Sequence, residues 1–263
     1  MFRLSGDLKL SLPLYKFVST PKWRRLVAAE DRFYSRAISL CDEAMIALNT
    51  AAEEGTIRED QYYFLSYLLS RPALSLKDVT VICLSLFSDG LSTTTPTLMF
   101  NLHCLAAWPE VQEKVYEEVQ DSFPDKDESI SSSSLSNMQY LKAFVKETFR
   151  STYLISRYRI FIITIIRLWP NGTEVSRYCE EDLVLSGYHI PPGTHLDLNP
   201  SVHFRDPKIF PDPDTHLPER WLRDGGGQEV HPYILTPFGH GTRMCAGRRC
   251  GEVVLKKKQA SQF

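Results

Sequence analysis

Apolar residues recur every three or four positions from Lys22 to Ala52 with no Pro or Gly to interrupt them, and this spacing predicts one long helix. A second helix is expected before Gly55. The same period returns from Ser75 through Val81, Leu84 and Leu91 to Leu105, opened by a Ser75/Asp78 pair with the spacing of a capping box. Trp108-Pro109-Glu110 then starts a further helix, with Pro at the first helical position and Glu near the positive end of the dipole. Its buried stripe is Val111, Val115 and Val119. A polar loop from Asp125 to Ser134 precedes a helix from Leu135 to Arg150. Leu183 to Ile190, Pro191-Pro192-Gly193-Thr194 and Leu196 to Asn199 read as a hairpin with a Pro-Gly turn. The pattern as a whole is mainly α with a small β-sheet.

Composition narrows the class only loosely. The chain has 263 residues, 43% of them hydrophobic, and a formal net charge of −2, which is enough for one large domain or two small ones and gives no reason to expect a nucleic-acid partner. Six cysteines (Cys41, Cys83, Cys104, Cys179, Cys245 and Cys250) show no disulfide-framework spacing, which fits a reducing compartment. The start, Met1-Phe2-Arg3-Leu4, has neither an apolar signal core nor an Arg/Ser-rich presequence, and Asn171-Gly172-Thr173 is therefore expected to be an idle glycosylation sequon. No uninterrupted apolar run reaches membrane-spanning length.

Three stretches carry chemistry. Inside the helix that ends at Leu105, Asp89-Gly90-Leu91-Ser92-Thr93-Thr94-Thr95-Pro96 places a Gly, four hydroxyls and a Pro where regular helix should run. Pro96 lacks an N–H and its ring crowds the Ser92 carbonyl, so the ladder is expected to open at Ser92 and Thr93. Read alone, this marks a kink between packed helices. Glu147 and Arg150 lie one turn apart on one helical face, close enough for an ion pair. Finally, Pro237-Phe238-Gly239-His240-Gly241-Thr242-Arg243-Met244-Cys245-Ala246-Gly247-Arg248-Arg249 sets a cysteine on a glycine-rich loop with a cation two residues before it. Such a loop can turn amides toward a thiolate sulfur and present it to a metal.

That last run resembles the haem-binding loop of the cytochrome P450 family, FxxGxRxCxG, at every defined position. The resemblance implies the C-terminal portion of that fold, with Cys245 as thiolate ligand to haem b iron and Phe238, Gly239 and Gly247 shaping the loop. Arg243 and Arg177 would hold the haem propionates. The Gly90 to Thr94 stretch is similar to the family's oxygen-binding groove, (A/G)Gx(D/E)T(T/S), with Thr93 and Thr94 on the paired threonines. Ser92 stands where the family carries an acid and Asp89 where it carries a small residue, so proton delivery would fall to Thr93 and Thr94, with Ser92 or Asp89 holding the water. Pro218-Glu219-Arg220-Trp221 resembles the element that closes the family's ExxR pair, which implies a structural cluster of Glu147, Arg150 and Arg220.

Lys142 and Lys146, four apart, and Arg248-Arg249 after the cysteine resemble the mitochondrial branch. They imply docking of an acidic, adrenodoxin-like 2Fe–2S ferredoxin at Lys142, Lys146 and Arg249. The reaction implied is hydroxylation of a lipophilic substrate, a sterol or steroid, in a full-length parent on the matrix side of the mitochondrial inner membrane, where membrane association is compatible with the family.

The resemblance starts near Pro13 and covers only the C-terminal half of such a parent. Two stretches depart from it. Residues 151–167, STYLISRYRIFIITIIR, read as an in-frame retained intron, since Arg150 would otherwise run straight into Leu168-Trp169-Pro170. Residues 250–263 decay into a basic, polar end where the family has a long apolar helix. Two other readings stay open: a non-haem metal site using His240, Cys245 and Cys250, and a non-catalytic fragment that competes for ferredoxin.

Overall fold

A computed structural model of the chain describes residues 14–56, 63–124, 130–155, 175–199, 201–222 and 230–261. Two compact units divide it, Met1–Thr93 and Thr94–Phe263.

In the first unit, α1 (Pro21–Glu53) is the long helix expected from Lys22 to Ala52. Thr20 caps it by accepting from the Trp23 amide at 3.2 Å, and Pro21 supplies the pre-set φ of a first helical residue. Gly55, at φ 66°, ends it: its amide donates to the Ala52 carbonyl and that of Thr56 to the Ala51 carbonyl, the paired bonds of a Schellman close. Among the described residues no separate helix lies between α1 and Gly55; the second α-helix, α2 (Tyr63–Leu69), follows it. The unbroken run of good helix formers carries α1 through to the glycine, where only a left-handed residue stops it. Helix α3 (Leu76–Asp89) begins with both halves of the Ser75/Asp78 capping box. Leu48, Leu65, Leu68 and Val79 form the buried cluster among the three helices.

The second unit begins with α4 (Thr95–Ala107) and α5 (Pro109–Ser122), whose Val111, Val115 and Val119 are all buried as the spacing predicts. The expected polar loop is shorter than its composition suggests. Ser131 caps a short helix, α6 (Ser132–Asn137), by accepting from the Ser134 amide, and Leu135 belongs to it; residues 125–129 lie outside the described residues. After a break at Met138 comes α7 (Gln139–Ile155). Its first free amides, those of Tyr140 and Leu141, donate to the two carboxylate oxygens of Glu118 at 2.8 and 2.7 Å, so α5 caps α7 across space. Leu141 and Phe144 are fully buried beside Cys104 and Val115, each worth about 1.5–3 kcal/mol in transfer terms.

Helix α7 runs past Arg150 into the segment expected to be foreign. Ser151 is buried and its hydroxyl lies 3.0 Å from His216 Nδ1, so the first residue of that segment is part of the core. Residues 156–167 lie outside the described residues. The β-structure also differs from the expected hairpin. Four strands, β1 (Val175–Tyr178), β2 (Leu183–Leu185), β3 (Tyr188–Ile190) and β4 (His195–Leu198), form two antiparallel ribbons, β1 with β4 and β2 with β3. The hairpin turn is Ser186-Gly187, both at positive φ as the strand twist favours. The Pro-Gly turn instead carries the chain from one ribbon to the other, pinned by the Gly193 amide on the Cys179 carbonyl at 2.7 Å. A one-turn helix, α8 (Ser201–Phe204), and a 3-10 turn (Pro218–Trp221) follow. The chain then reaches α9 (Arg248–Ala260), so residues 250–260 are helical where a decay was expected, with Leu255, Gln259 and Ala260 buried. Among the described residues no helix is long and apolar enough to cross a membrane.

Candidate functional site

Helix α7 organises the site. Glu147 and Arg150 are both 0% exposed and form a two-point pair, Nη2 to Oε1 at 2.6 Å and Nε to Oε2 at 2.9 Å. A buried pair is tolerable only when its remaining donors and acceptors are met, and here they are. Arg150 donates onward to the carbonyls of Phe204, Pro213 and Thr215 at 2.8–3.1 Å, and its guanidinium lies over the Phe210 ring. Glu147 also accepts from Arg220 Nε (3.3 Å), Trp221 Nε1 (2.9 Å) and the Leu217 amide (3.0 Å). Arg220 continues to the carbonyls of Pro211 and Asp212. The structure thus brings Glu147, Arg150 and Arg220 together.

The cluster recruits groups with no signal in the sequence. His216 stacks on Trp108 (4.9 Å between ring centres) and edges against Phe144. Burial pushes its pKa down from 6.5 to about 4, with the Arg150 and Arg220 charges adding to that and Glu147 opposing it. Glu219 pairs with Lys114 at 2.6 Å and accepts from the Tyr140 hydroxyl at 2.9 Å. Burial raises its carboxyl pKa, yet these hydrogen bonds outweigh it and hold the group below the ordinary carboxylate value.

The cysteine loop is braced on the same helix. Gly239 and Gly241 take φ of 71° and 79°, conformations in which an L side chain is strained. They fold the chain back so that the Cys245 amide donates to the Phe238 carbonyl at 2.8 Å. The Phe238 ring packs edge-on against Phe149, one residue before Arg150, and lies 3.7 Å from where a Cβ on Gly251 of α9 would sit. Gly247 closes the loop as the residue before α9. Cys245 is exposed, and no amide among the described residues donates to its sulfur. Arg243 is exposed and forms no ion pair among the described residues. Arg177, on β1, is exposed and donates to the Ser176 carbonyl at 2.8 Å. Among the described residues no three His, Cys, Asp or Glu side chains are grouped to hold a metal, which leaves the reading through His240, Cys245 and Cys250 without support.

The helix ladder opens where Pro96 predicts. Gly90–Thr94 is a π-helical turn between α3 and α4. Such a turn displaces carbonyls from their usual donors, and the hydroxyls of Thr93 (2.7 Å) and Ser92 (3.1 Å) both donate to the Asp89 carbonyl. Thr94 makes no side-chain cap. On the surface of α7, Lys146 is exposed with its ammonium 5.8 Å from the Trp221 ring centre, while Lys142 is half-buried and donates to the Ser136 carbonyl. A third lysine, Lys256 of α9, shares this neighbourhood. Burial lowers its pKa, and the charges of Lys142 and Lys146 lower it further against the opposing Glu252. Arg248 and Arg249 are both exposed; Arg248 pairs with Glu252 at 3.0 Å, and Arg249 forms no ion pair among the described residues.

An exposed thiol on a glycine-turned loop, an uncommitted arginine two residues before it and the exposed Val253 and Val254 of the following helix fit an anionic, largely apolar macrocycle with a thiolate ligand. The fold itself is of the mainly helical class with a small antiparallel β-structure. The cytochrome P450 family model matches residues 2–160 and 161–258, and the chain belongs to that family. It is 41% identical over 253 residues to the "Probable cytochrome P450 CYP44" of Caenorhabditis elegans, covering 96% of this chain and 45% of the relative. It is 31% identical to the "Probable cytochrome P450 12d1 proximal, mitochondrial" of Drosophila melanogaster (97% of this chain, 46% of the relative), and 32% identical to "Cytochrome P450 10" of Lymnaea stagnalis (95% and 42%). The chain spans less than half the length of these curated relatives.

Proposed function

We propose that this chain supplies the thiolate side of a mitochondrial haem monooxygenase that hydroxylates a lipophilic substrate, a sterol or steroid, with electrons from an adrenodoxin-like 2Fe–2S ferredoxin. Haem b, bound through a cysteine thiolate, supplies the activation of dioxygen that places one oxygen atom in an unactivated C–H bond and releases the other as water. Cys245 would provide the thiolate. Arg243 and Arg177 would neutralise the propionates, the first with its guanidinium uncommitted and the second after giving up its bond to Ser176. Thr93, held by its bond to the Asp89 carbonyl, would orient a water for proton delivery, with Ser92 and Thr94 beside it in the π-helical turn. Glu147, Arg150 and Arg220 would hold the fold and take no part in chemistry. Lys142, Lys146 and Arg249 would attract the acidic ferredoxin, which accords with relatives named mitochondrial.

The observation that carries this reading is the bracing of the cysteine loop, through Phe238 on Phe149, by the helix that holds the buried Glu147–Arg150 pair. The test is the difference spectrum of the chain supplied with haem, reduced and exposed to carbon monoxide, alongside Cys245→Ser. A strongly red-shifted Soret band in the parent sequence that is lost in the variant is expected. The same spectrum in both, or none in either, would remove thiolate ligation by this loop.

A further inference from the structure

Within the first unit, α1 and α3 bring two thiols together. Ala37, Cys41, Ala44 and Leu48 recur at four, three and four along one face of α1, and Ala37 and Leu48 are buried. On α3, Val79 is buried and Cys83 lies one turn further on. Ala44 and Cys83 both pack against the cluster of Leu48, Leu65, Leu68 and Val79, so these two faces meet. Cys41 lies one turn before Ala44 on the α1 face that meets α3, near enough to Cys83 for the two thiols to act on each other electrostatically. Both residues are half-buried, not sealed, so a small oxidant can reach them.

We propose that Cys41 and Cys83 form a reversible intramolecular disulfide that latches α1 to α3, with a peroxide as oxidant. The thiolate of Cys41 attacks one oxygen of hydrogen peroxide, giving a sulfenic acid and releasing hydroxide, which takes up the thiol's proton as water. The Cys83 sulfur then attacks the Cys41 sulfur, the sulfenic hydroxyl leaves, and the Cys83 proton completes a second water. Two thiols are oxidised and one peroxide is reduced to two waters. Burial and the neighbouring Cys41 raise the Cys83 thiol, which disfavours Cys83 as the first sulfur to attack the peroxide. Closing the bond brings the two sulfurs to about 2 Å of each other across helix faces that are already packed. Helix α3 leads directly into the π-helical turn that carries Ser92 and Thr93, so the latch fixes the helix on which that turn is built.

The experiment is graded hydrogen peroxide treatment of the full chain, alkylation of remaining thiols and peptide mass spectrometry, followed by amide hydrogen exchange along α1. The expected product is a Cys41–Cys83 cross-linked peptide, lighter by two hydrogens, formed within one chain and reversed by dithiothreitol. In Cys41→Ser, Cys83 should remain alkylatable at the same dose. Amide exchange around Cys41 should slow by about tenfold or more in the oxidised chain. The proposal is overturned if Cys41 and Cys83 stay alkylatable while the exposed Cys245 and Cys250 oxidise. It is equally overturned if the cross-link joins two chains, or if it forms and leaves α1 exchange unchanged.

Discussion

Replacing Glu147 by Gln tests whether the buried cluster holds the second unit together. Glu147 Oε1 accepts from Arg150 Nη2, Arg220 Nε and the Leu217 amide, and Oε2 from Arg150 Nε and Trp221 Nε1. A glutamine keeps only one acceptor oxygen, so whichever way its amide is turned, at least two of these donors face an N–H. The larger effect is electrostatic. Arg150 is 0% exposed and stays charged at any accessible pH, so losing its carboxylate leaves a buried cation without a counter-charge. Breaking a buried pair from one side costs about 3–5 kcal/mol, a large share of the roughly 5–15 kcal/mol that stabilises a domain. With a urea slope of about 2 kcal/mol per molar, the unfolding midpoint should fall by about 2 M, followed by tryptophan fluorescence and far-ultraviolet circular dichroism. Glu147→Asp, which keeps the charge, should fall by less. A shift below about 0.5 M for Glu147→Gln, with an unchanged slope, would mean that water or another anion compensates Arg150 and that the cluster does not carry the fold.

Three further outcomes follow from the same geometry. Because the folded-state pKa of His216 is depressed from 6.5 to about 4, the unfolded chain binds a proton that the folded one refuses between these values. Stability is therefore full above about pH 6.5 and declines by on the order of 3 kcal/mol as pH falls toward 4, then levels off. His216→Phe, which preserves the stack on Trp108, should flatten that slope in urea titrations, and an identical slope in both chains would refute the assignment. Both amide atoms of Gln259 are buried with no hydrogen-bond partner among the described residues, so Gln259→Leu should stabilise by about 1–3 kcal/mol, read as a higher Tm; a lower Tm would show that the amide is satisfied by water. Charge reversal at Lys142 and Lys146 should weaken association with an acidic 2Fe–2S ferredoxin at least about tenfold at low salt, with the gap closing at high salt, and affinity that ignores both charge and salt would sink the docking assignment.

The helices were legible because their signals are local. Ser75 with Asp78, and Pro109, act within a few residues and each opens a helix where the sequence indicates, while Thr20 and Gly55 cap and end α1 by equally local bonds that the sequence reading did not single out. Pro96 was legible for the same reason, since the carbonyl it disturbs lies four residues back. The misjudged elements all turn on a competing partner. A Pro-Gly turn looks like a hairpin until β4 is seen to pair with β1, a choice made across the intervening β2–β3 hairpin. The serines before Leu135 look like loop because Ser is a poor helix former, yet Ser131 as a cap makes a short helix of them. Basic residues after Arg249 look like a frayed end, yet Leu255, Gln259 and Ala260 find one packed side for α9.

The site divides along the same line. Cys245, Arg243 and the loop glycines lie within a dozen residues, and Glu147 and Arg150 share one turn, so each forms a local motif whose resemblance to the family's proposes it. Lys256 joins Lys142 and Lys146, Glu118 caps α7 and His216 stacks on Trp108 across separations that no local pattern encodes. What unites the two halves is α7 itself. Three of its consecutive turns carry Lys142 and Lys146 on the surface, Glu147 and Arg150 in the core, and Phe149 against the cysteine loop. A helix held by a buried two-point ion pair has little freedom to roll, because rotation would strand the charges of Glu147, Arg150 and Arg220 together. The pair therefore contributes to the site by fixing the azimuth of α7, which sets at once where Phe149 meets Phe238 and where Lys146 faces solvent.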